Sequence, residues 1–289
     1  MTKVSSAGSR WLAFVLINSL LIQGGIYVVR PIVTYKALEL GADAALVGII
    51  GATFALAPLI FAIRIGQFVD KGRAGIALTA GSVTLALTTL ALLFIDSIPL
   101  LMVAMPALGM GHLLVMVGGQ TMIANRSGSE LYEKNFGLLT FYASLGHGLG
   151  PLFGGWLADS GEARVNANAA FLFALILFLL AIISVVALAR KSENRRIEVS
   201  DSSKTTVASV MKTSTFKSAI FVASATTAVV DVVLIFLPLF GRQIGLSVSE
   251  VGILLAIRAL ASMGVRLVLG EISRKLGLRL ILNAGSALT

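Results

Sequence analysis

Stretches of about 20 consecutive apolar residues recur along nearly the whole chain, and each is long enough to cross a hydrocarbon layer about 30 Å thick as an α-helix. The 289 residues are 57% hydrophobic and only 13% charged, with a mean hydropathy of +0.94. A water-soluble domain of this length cannot bury so much apolar surface. The sequence therefore predicts an all-α integral membrane protein that crosses the bilayer many times.

The apolar stretches predict eight spans, at 11–29, 44–65, 75–95, 100–122, 137–157, 168–190, 217–240 and 249–269, and a ninth that begins near residue 280. The longest polar stretch between them, 191–216, is rich in Ser, Thr, Lys and Arg. It predicts a cytoplasmic linker between two bundles. The expected organisation is therefore a six-helix N-terminal bundle over 1–190 and the beginning of a C-terminal bundle over 217–289.

The distribution of the 23 basic residues predicts which way the chain crosses the membrane. If the N-terminus is cytoplasmic, most of them fall in inner loops, and the outer loops hold only Arg30, Lys36, Arg164 and Arg242. The expected location is therefore the inner or plasma membrane, crossed many times from a cytoplasmic N-terminus. The net charge of +9 is spread over short loops and forms no continuous patch, so no nucleic-acid partner is expected.

An internal repeat links the two sides of the predicted linker. The run from Leu40 to Ile49 matches the run from Ile244 to Ile253 without a gap, at an offset of 204 residues. Because a shift of six spans keeps the orientation, the repeat predicts a parallel duplication of a six-helix unit. A second unit as long as the first would end at about residue 395, so the sequence predicts a chain truncated in its ninth helix.

Two charged loops occupy equivalent places in the repeat. The first has Gly66, Asp70, Lys71, Gly72 and Arg73, and the second has Gly270, Lys275, Gly277 and Arg279, with Arg274 in place of the acid. Both resemble the signature loop of the major facilitator superfamily, although one residue is missing between Lys71 and Gly72. The resemblance implies that Asp70 takes part in a charge latch between two bundles, which opens during the transport cycle. The alternative is an aspartate in a solvated turn without a latch.

The fifth predicted span carries a glycine motif made of Gly137, Gly146, Gly150, Pro151, Gly154 and Gly155. Glycines spaced by four let another helix approach closely, and a proline permits a kink. The spacing resembles the antiporter motif of the same superfamily, which implies an exporter such as a drug and proton antiporter. The alternative is a packing face with no bearing on the direction of transport. In the fourth span, Met105 stands where the family usually has an arginine.

Two charged residues lie deep within predicted spans, where an unpaired charge costs about 2.5 to 3.5 kcal/mol. Asp231 and Arg258 each lie nine residues from the outer end of their span, or about 14 Å. They are therefore predicted to form an ion pair across the hairpin of the seventh and eighth spans. The alternative is that Asp231 exchanges protons or contacts the substrate.

Both histidines, His112 and His147, lie within spans at similar depths on neighbouring helices. They are predicted either to share a proton or to be separate hydrogen-bonded residues of the core, and two histidines alone do not indicate a metal site. Polar residues also follow one face of the first span and one face of the seventh. The resemblance implies that these faces line a central cavity, so the substrate-cavity candidates are Ser19, Gln23, Tyr27, Arg30, Ser224 and Thr227.

These features predict a secondary transporter that exports a small molecule by alternating access, with a proton gradient as the driving force and no cofactor. The expected partners are the substrate and the lipid bilayer, with no obligate protein partner. No GxxxxGKS/T, HExxH or GxSxG motif occurs, so no enzyme, catalytic residue or metal is expected. Two alternatives of the same fold are a non-transporting remnant or scaffold and a passive facilitator.

Overall fold

A long first helix lies at the centre of the structure, a computed structural model that describes residues 7–161, 165–191 and 214–276. Nine α-helices occur within these ranges: α1 (Ala7–Glu39), α2 (Ala44–Thr53), α3 (Leu56–Phe68), α4 (Ala74–Leu92), α5 (Ile98–Arg126), α6 (Tyr132–Ala158), α7 (Ala167–Lys191), α8 (Ser214–Gln243) and α9 (Val248–Leu276). Residues 22–35 of α1 are all buried, because α5, α6, α7 and α8 pack around them.

The bundle has two ends, which are named here according to the predicted orientation. Helices α1, α4, α6 and α8 end at the outer end, where α2, α5, α7 and α9 begin. The opposite end is the inner end. The outer halves of α6 and α9 pack closely against each other, as do the outer halves of α1 and α8, so the two predicted bundles are in contact on the outer side.

The first helix is longer than the predicted span 11–29. It continues to Glu39, so Arg30 and Lys36 belong to the helix, and their assignment to an outer loop was wrong. Arg30 is only 5% exposed. A charged residue can continue an apolar helix in this way because another helix supplies a carboxylate for it. Most of the predicted linker, residues 192–213, lies outside the described residues. The predicted ninth span near residue 280 also lies outside them.

The predicted span 44–65 is bent into two helices, α2 and α3. Pro58 has no backbone N–H, so the carbonyl of Phe54 loses the hydrogen bond that a continuous helix would give it. Gly109 of α5 packs directly on that carbonyl, since a Cβ at Gly109 would lie 1.9 Å from the Phe54 oxygen. The bend follows from a local proline and from a glycine in another helix, and it turns the Phe54 side chain into the core.

Four helical stretches among the described residues are long and apolar enough to cross a membrane: Arg10–Glu39, Ala44–Leu92, Ile98–Arg126 and Ala167–Leu188. The second of these contains α2, α3 and α4 together with the turn between α3 and α4. Helix α6 is not among the four, because its glycines and its polar side chains lower its hydropathy. Its glycine face packs on other helices, which explains how a less apolar helix is accommodated inside the bundle.

The predicted repeat is present in the backbone of the two outer hairpins. The ends of α1 and α8 and the starts of α2 and α9 are each 204 residues apart. Gly41 and Gly245 both adopt positive φ, +86° and +81°, a conformation that favours glycine at the end of a helix. Asp43 caps α2 by accepting a hydrogen bond from a backbone amide, and Ser247 caps α9 in a reciprocal pair with Glu250.

Candidate functional site

The middle of α1 presents a row of buried polar side chains, which together contact α5, α6, α8 and α9. Gln23 is the innermost of three such residues, and Tyr27 and Arg30 follow it towards the outer end. Its Oε1 lies 3.1 Å from Nε2 of His112 in α5, and its Nε2 lies 2.9 Å from the sulfur of Met116 in the same helix. Because His112 and Met116 are four residues apart, they lie on one face of α5. One contacts the oxygen and the other the nitrogen of the Gln23 side-chain amide.

One turn further out, Tyr27 joins three helices. Its ring stacks on His147 of α6, with ring centroids 3.8 Å apart and an interplanar angle of 16°. The guanidinium carbon of Arg258 in α9 lies 6.0 Å from the Tyr27 ring centroid, at the outer limit of a cation–π contact. The two histidines therefore contact different residues of α1, which favours separate core histidines over a pair that shares a proton.

Arg30 makes the ion pair of the site. Its Nη1 lies 2.5 Å from Oδ1 of Asp231 in α8, and its guanidinium carbon lies 4.5 Å from the ring centroid of Phe54. One turn further out, the hydroxyl of Thr34 donates to the backbone carbonyl of Ile235, 3.3 Å away. The first bundle and α8 are thus joined by a charged contact and a polar contact on the outer side of the protein.

The predicted ion pair of Asp231 with Arg258 is wrong for this structure. Asp231 pairs with Arg30 of α1, and Nε of Arg258 is buried without a hydrogen-bond partner. The prediction failed because the first span was ended at residue 29, which placed Arg30 in a loop and left Arg258 as the only basic residue at that depth. The continuous polar stripe on α1 was the signal for a longer helix.

Ser19 lies on the inner side of this row and lines a cavity of about 60 Å³ inside the first bundle. The same cavity is lined by Asn18, Gln120 and Thr140, which were not among the predicted cavity candidates. Asn18 is held by the backbone carbonyl of Ala181, 3.2 Å from its Nδ2. The two α8 candidates, Ser224 and Thr227, are exposed and lie on the inner side of Asp231.

One set of the motif glycines in α6 faces α1. A Cβ at Gly146 would lie 2.5 Å from the Leu20 carbonyl oxygen, and a Cβ at Gly150 would lie 2.4 Å from the Gly24 carbonyl oxygen. At Gly154 the nearest atoms belong to Val28, 2.8 Å away. The contacts at Gly146 and Gly150 are to backbone atoms, which cannot rotate away, so these glycines set the distance between α1 and α6.

The other face of the motif meets α9. A Cβ at Gly155 would lie 2.8 Å from the Val248 carbonyl oxygen, and a Cβ at Gly252 would lie 2.4 Å from the Pro151 carbonyl oxygen. Gly137, at the inner end of the motif, has nothing within 4 Å of an added Cβ. The motif therefore packs α6 against α1 and α9 at once, and Gly137 takes no part in either contact.

Asp159 fixes the outer end of the contact between α6 and α9. Its carboxylate accepts hydrogen bonds from the hydroxyl and the backbone amide of Ser249, at the start of α9. A second carboxylate oxygen accepts from the amide of Gly161, 3.1 Å away. The hydroxyl of Ser249, followed by the Gly161 amide, lowers the pKa of Asp159 below its usual 3.8.

We predict a pH-dependent effect when Asp159 is changed to asparagine. A lowered pKa means that the charged carboxylate stabilises this contact above pH 3.8 and that the stabilisation is lost as the pH falls through the lowered value. The variant should therefore melt below the parent at neutral pH, and the difference should shrink in acid. Melting of the purified protein in detergent measures this, with Asp96→Asn as an exposed control. A difference that persists unchanged in acid would contradict the assignment.

The first signature loop forms a tight exposed turn between α3 and α4. Gly72 has φ +79°, and Asp70, Lys71 and Arg73 are exposed around it. The guanidinium of Arg73 lies over the ring of Phe68, 5.1 Å from its centroid. The part that Asp70 plays in a latch remains a prediction.

The second copy of the loop begins inside a helix. Gly270 and Lys275 both belong to α9, which continues past the predicted end at residue 269 to Leu276. Gly277 and Arg279 lie outside the described residues. Gly66, the equivalent of Gly270, likewise lies inside α3.

Replacing Gly72 with alanine should lower the stability of the protein by roughly 1 kcal/mol, because alanine is strained at positive φ. Gly66→Ala is the matched control. It lies in helical backbone with nothing within 4 Å of an added Cβ, so it should be neutral or slightly stabilising. Melting temperatures of the two variants test this, and equal melting temperatures would contradict it.

The fold is that of a multi-pass, all-α membrane protein, in which helices from a repeated unit meet around buried polar and charged side chains. The sequence matches the Major Facilitator Superfamily over residues 15–289, and the chain belongs to this family. It shares the family's all-α membrane fold, as predicted.

Relatives and solved structures agree with this assignment. The chain is 30% identical over 171 residues to the quinolone resistance protein NorA of Staphylococcus aureus, a match that covers 59% of this chain and 43% of the relative. An uncharacterized MFS-type transporter of Methanocaldococcus jannaschii is 20% identical over 253 residues, which cover 88% of this chain and 66% of the relative. The chain thus spans less than half the length of the NorA proteins that it matches.

Among solved structures, a bacterial homolog of the human lysosomal transporter Spinster has the same fold. In its inward-facing, unoccupied form it superposes with a TM-score of 0.73 at 18% identity, over 96% of this chain and 64% of that one. Its inward-facing, occupied form gives a TM-score of 0.71 at 20% identity, over 93% of this chain and 62% of that one.

Proposed function

We propose that the protein exports a small molecule across the plasma membrane in exchange for protons, by alternating access of two bundles around the polar site on α1. The ion pair of Arg30 with Asp231 carries the proposal. It joins the first bundle to α8 on the outer side, and it is the one ion pair among the described residues. A proton on Asp231 removes the negative charge of this ion pair. It therefore weakens the contact that holds the two bundles together on the outer side.

The direction of transport is inferred from two observations. The α6 motif that resembles the antiporter motif forms the contacts with α1 and α9, so it lies where the two bundles must separate. The relative NorA is named as a quinolone resistance protein, which fits an exporter of small organic molecules. The aromatic rings of Phe54, beside Arg30, and of Tyr27, beside Arg258, suit a substrate with an aromatic body and polar groups.

The proposed orientation places the N-terminus in the cytoplasm, with the signature loops on the same side. The predicted domain organisation, with bundles over 1–190 and from 217 onwards, fits the α1–α8 and α6–α9 contacts as the interface between them. Proton exchange at Asp231 requires no bound cofactor, and the proton gradient supplies the driving force.

Inside-out membrane vesicles test the proposal, with a fluorescent quinolone as the probe. Export corresponds to uptake of the quinolone into the vesicle. An acidic vesicle lumen should drive this uptake, and an ionophore that collapses the pH gradient should abolish it. The same uptake with the gradient collapsed would indicate a passive facilitator and would overturn proton coupling. Vesicles without the protein give the background.

A further inference from the structure

Arg258 lacks a carboxylate partner in the described structure. Its Nε is buried without a hydrogen bond, and the rest of its guanidinium lies beside the hydroxyl and the ring of Tyr27, 6.0 Å from the ring centroid. A guanidinium within a membrane span costs several kcal/mol unless a negative charge or water compensates it. The neutral side chain of Tyr27 supplies no negative charge, so a carboxylate would be a better partner for Arg258.

The elements around Arg258 offer one carboxylate at its depth. Among the described side chains of α1, α6, α8 and α9, the acidic residues other than Asp231 lie at or near helix ends: Glu39, Glu133 and Glu250, with Asp159 directly after α6. Asp231 alone lies in the middle of a helix. It is already paired, but with a residue of the opposite bundle.

Asp231 and Arg258 belong to one hairpin and lie at nearly the same height. Asp231 lies 12 residues before the end of α8 at Gln243, and Arg258 lies 10 residues after the start of α9 at Val248. Because the two helices are antiparallel, their heights differ by about 3 Å. A change of side-chain conformation, with a small shift of the helices, is enough to bring an arginine and an aspartate together over such a difference.

We propose that Arg258 is the second partner of Asp231, and that the carboxylate exchanges Arg30 for Arg258 when the outer ends of the two bundles separate. The inference rests on the proposed alternating access. When α1 leaves α8, Arg30 moves away with the first bundle, whereas Arg258 stays in the same hairpin as Asp231. Arg258 is then a positioning residue that keeps the carboxylate paired in the outward-open state.

The exchange has a physical consequence for the transport cycle. If opening left Asp231 without any cation, the outward-open state would carry the cost of an unpaired charge, reduced by the water that reaches this partly exposed side chain, and would be less populated. A replacement partner reduces the free-energy difference between the two states. A proton or a substrate can then shift the equilibrium with a modest difference in affinity.

The absence of cysteine from the chain permits a direct test. Thr34 of α1 is buried against α8, where its hydroxyl donates to the Ile235 carbonyl. A cysteine introduced by Thr34→Cys should therefore react with a membrane-impermeant maleimide only when the outer side opens. In this background, Arg30→Gln should raise the labelling rate roughly tenfold, because it weakens the closed state. Arg258→Gln should lower the rate by a similar factor, because it weakens the open state.

Two further variants make the test specific. Arg258→Lys keeps the positive charge and should label close to the parent rate. In an Asp231→Asn background, Arg258→Gln should have no further effect, since the carboxylate that it serves is gone. Labelling of denatured protein gives the total reactive cysteine for each variant, and the size-exclusion profile confirms that it is folded.

Three results would overturn the exchange. The first is a higher labelling rate in Arg258→Gln than in the parent, and the second is an unchanged rate. The third is an effect of Arg258→Gln that persists in the Asp231→Asn background. Each would mean that Arg258 only supports Tyr27 or the packing of α9. The labelling needs neither substrate nor pH gradient. Failure of the exchange is therefore distinguishable from failure of proton-coupled export, which the vesicle uptake measures.

Discussion

Replacing Asp231 with asparagine should destabilise the protein by roughly 3 kcal/mol and abolish uptake driven by a pH gradient. The stability loss arises because Arg30 is only 5% exposed and would keep its charge without a carboxylate. The cost is expected at the lower end of the usual 3–5 kcal/mol, since the Asp231 side chain is 37% exposed and water can partly reach the pair. The loss of coupling arises because asparagine does not take up a proton.

A double variant separates the two effects. Arg30→Gln together with Asp231→Asn removes both charges, so most of the lost stability should return while gradient-driven uptake stays absent. Unfolding in detergent measures the stability and quinolone uptake into acidic vesicles measures the coupling. Asp96→Asn, an exposed change at the outer end, is the control and should alter neither. A double variant as unstable as the sum of its parts would show that the charges are not coupled.

The outline of the fold was predictable because its signals are local. A membrane helix is recognised by the length and hydropathy of its own residues. The offset of the repeat was visible because the backbone of each hairpin requires a glycine, at Gly41 and at Gly245. The bend after Thr53 was missed. It depends on Pro58 and on Gly109 of another helix packing on the freed carbonyl of Phe54, and that second contact is tertiary.

The residues of the site were predicted better than their pairing. A polar stripe on one face of α1 and an intramembrane aspartate are visible in the sequence because membranes exclude such residues unless they have a use. Which cation meets Asp231 depends on how two bundles dock, and a depth count along each helix cannot decide between Arg30 and Arg258. Phe54 reaches the site because the chain bends between α2 and α3.

The glycine motif in α6 was predicted to let another helix approach closely, whether or not it also serves export, but the prediction did not say which helices approach it. Spacing by four indicates a groove along one side of the helix. It does not reveal that Gly146 and Gly150 meet α1 or that Gly155 meets α9. The position of Gly137 in the motif also gave no sign that it would touch neither helix.

Gly150→Ala should lower stability by about 1–3 kcal/mol and reduce gradient-driven uptake. The added methyl would lie 2.4 Å from the backbone oxygen of Gly24, so α1 and α6 must move apart. That movement also displaces the stacked pair of Tyr27 and His147, which joins the same two helices. The melting temperature and the initial rate of quinolone uptake measure the two consequences.

Gly137→Ala is the matched control, in the same helix and the same motif. An added Cβ there meets nothing within 4 Å, and alanine is favoured over glycine inside a helix by about 0.5–1 kcal/mol. The substitution should therefore raise the melting temperature slightly and leave uptake unchanged. If both variants lost stability equally, close helix packing would not explain the motif. If Gly137→Ala alone abolished uptake, the inner end of α6 would have a role in transport that its contacts do not account for.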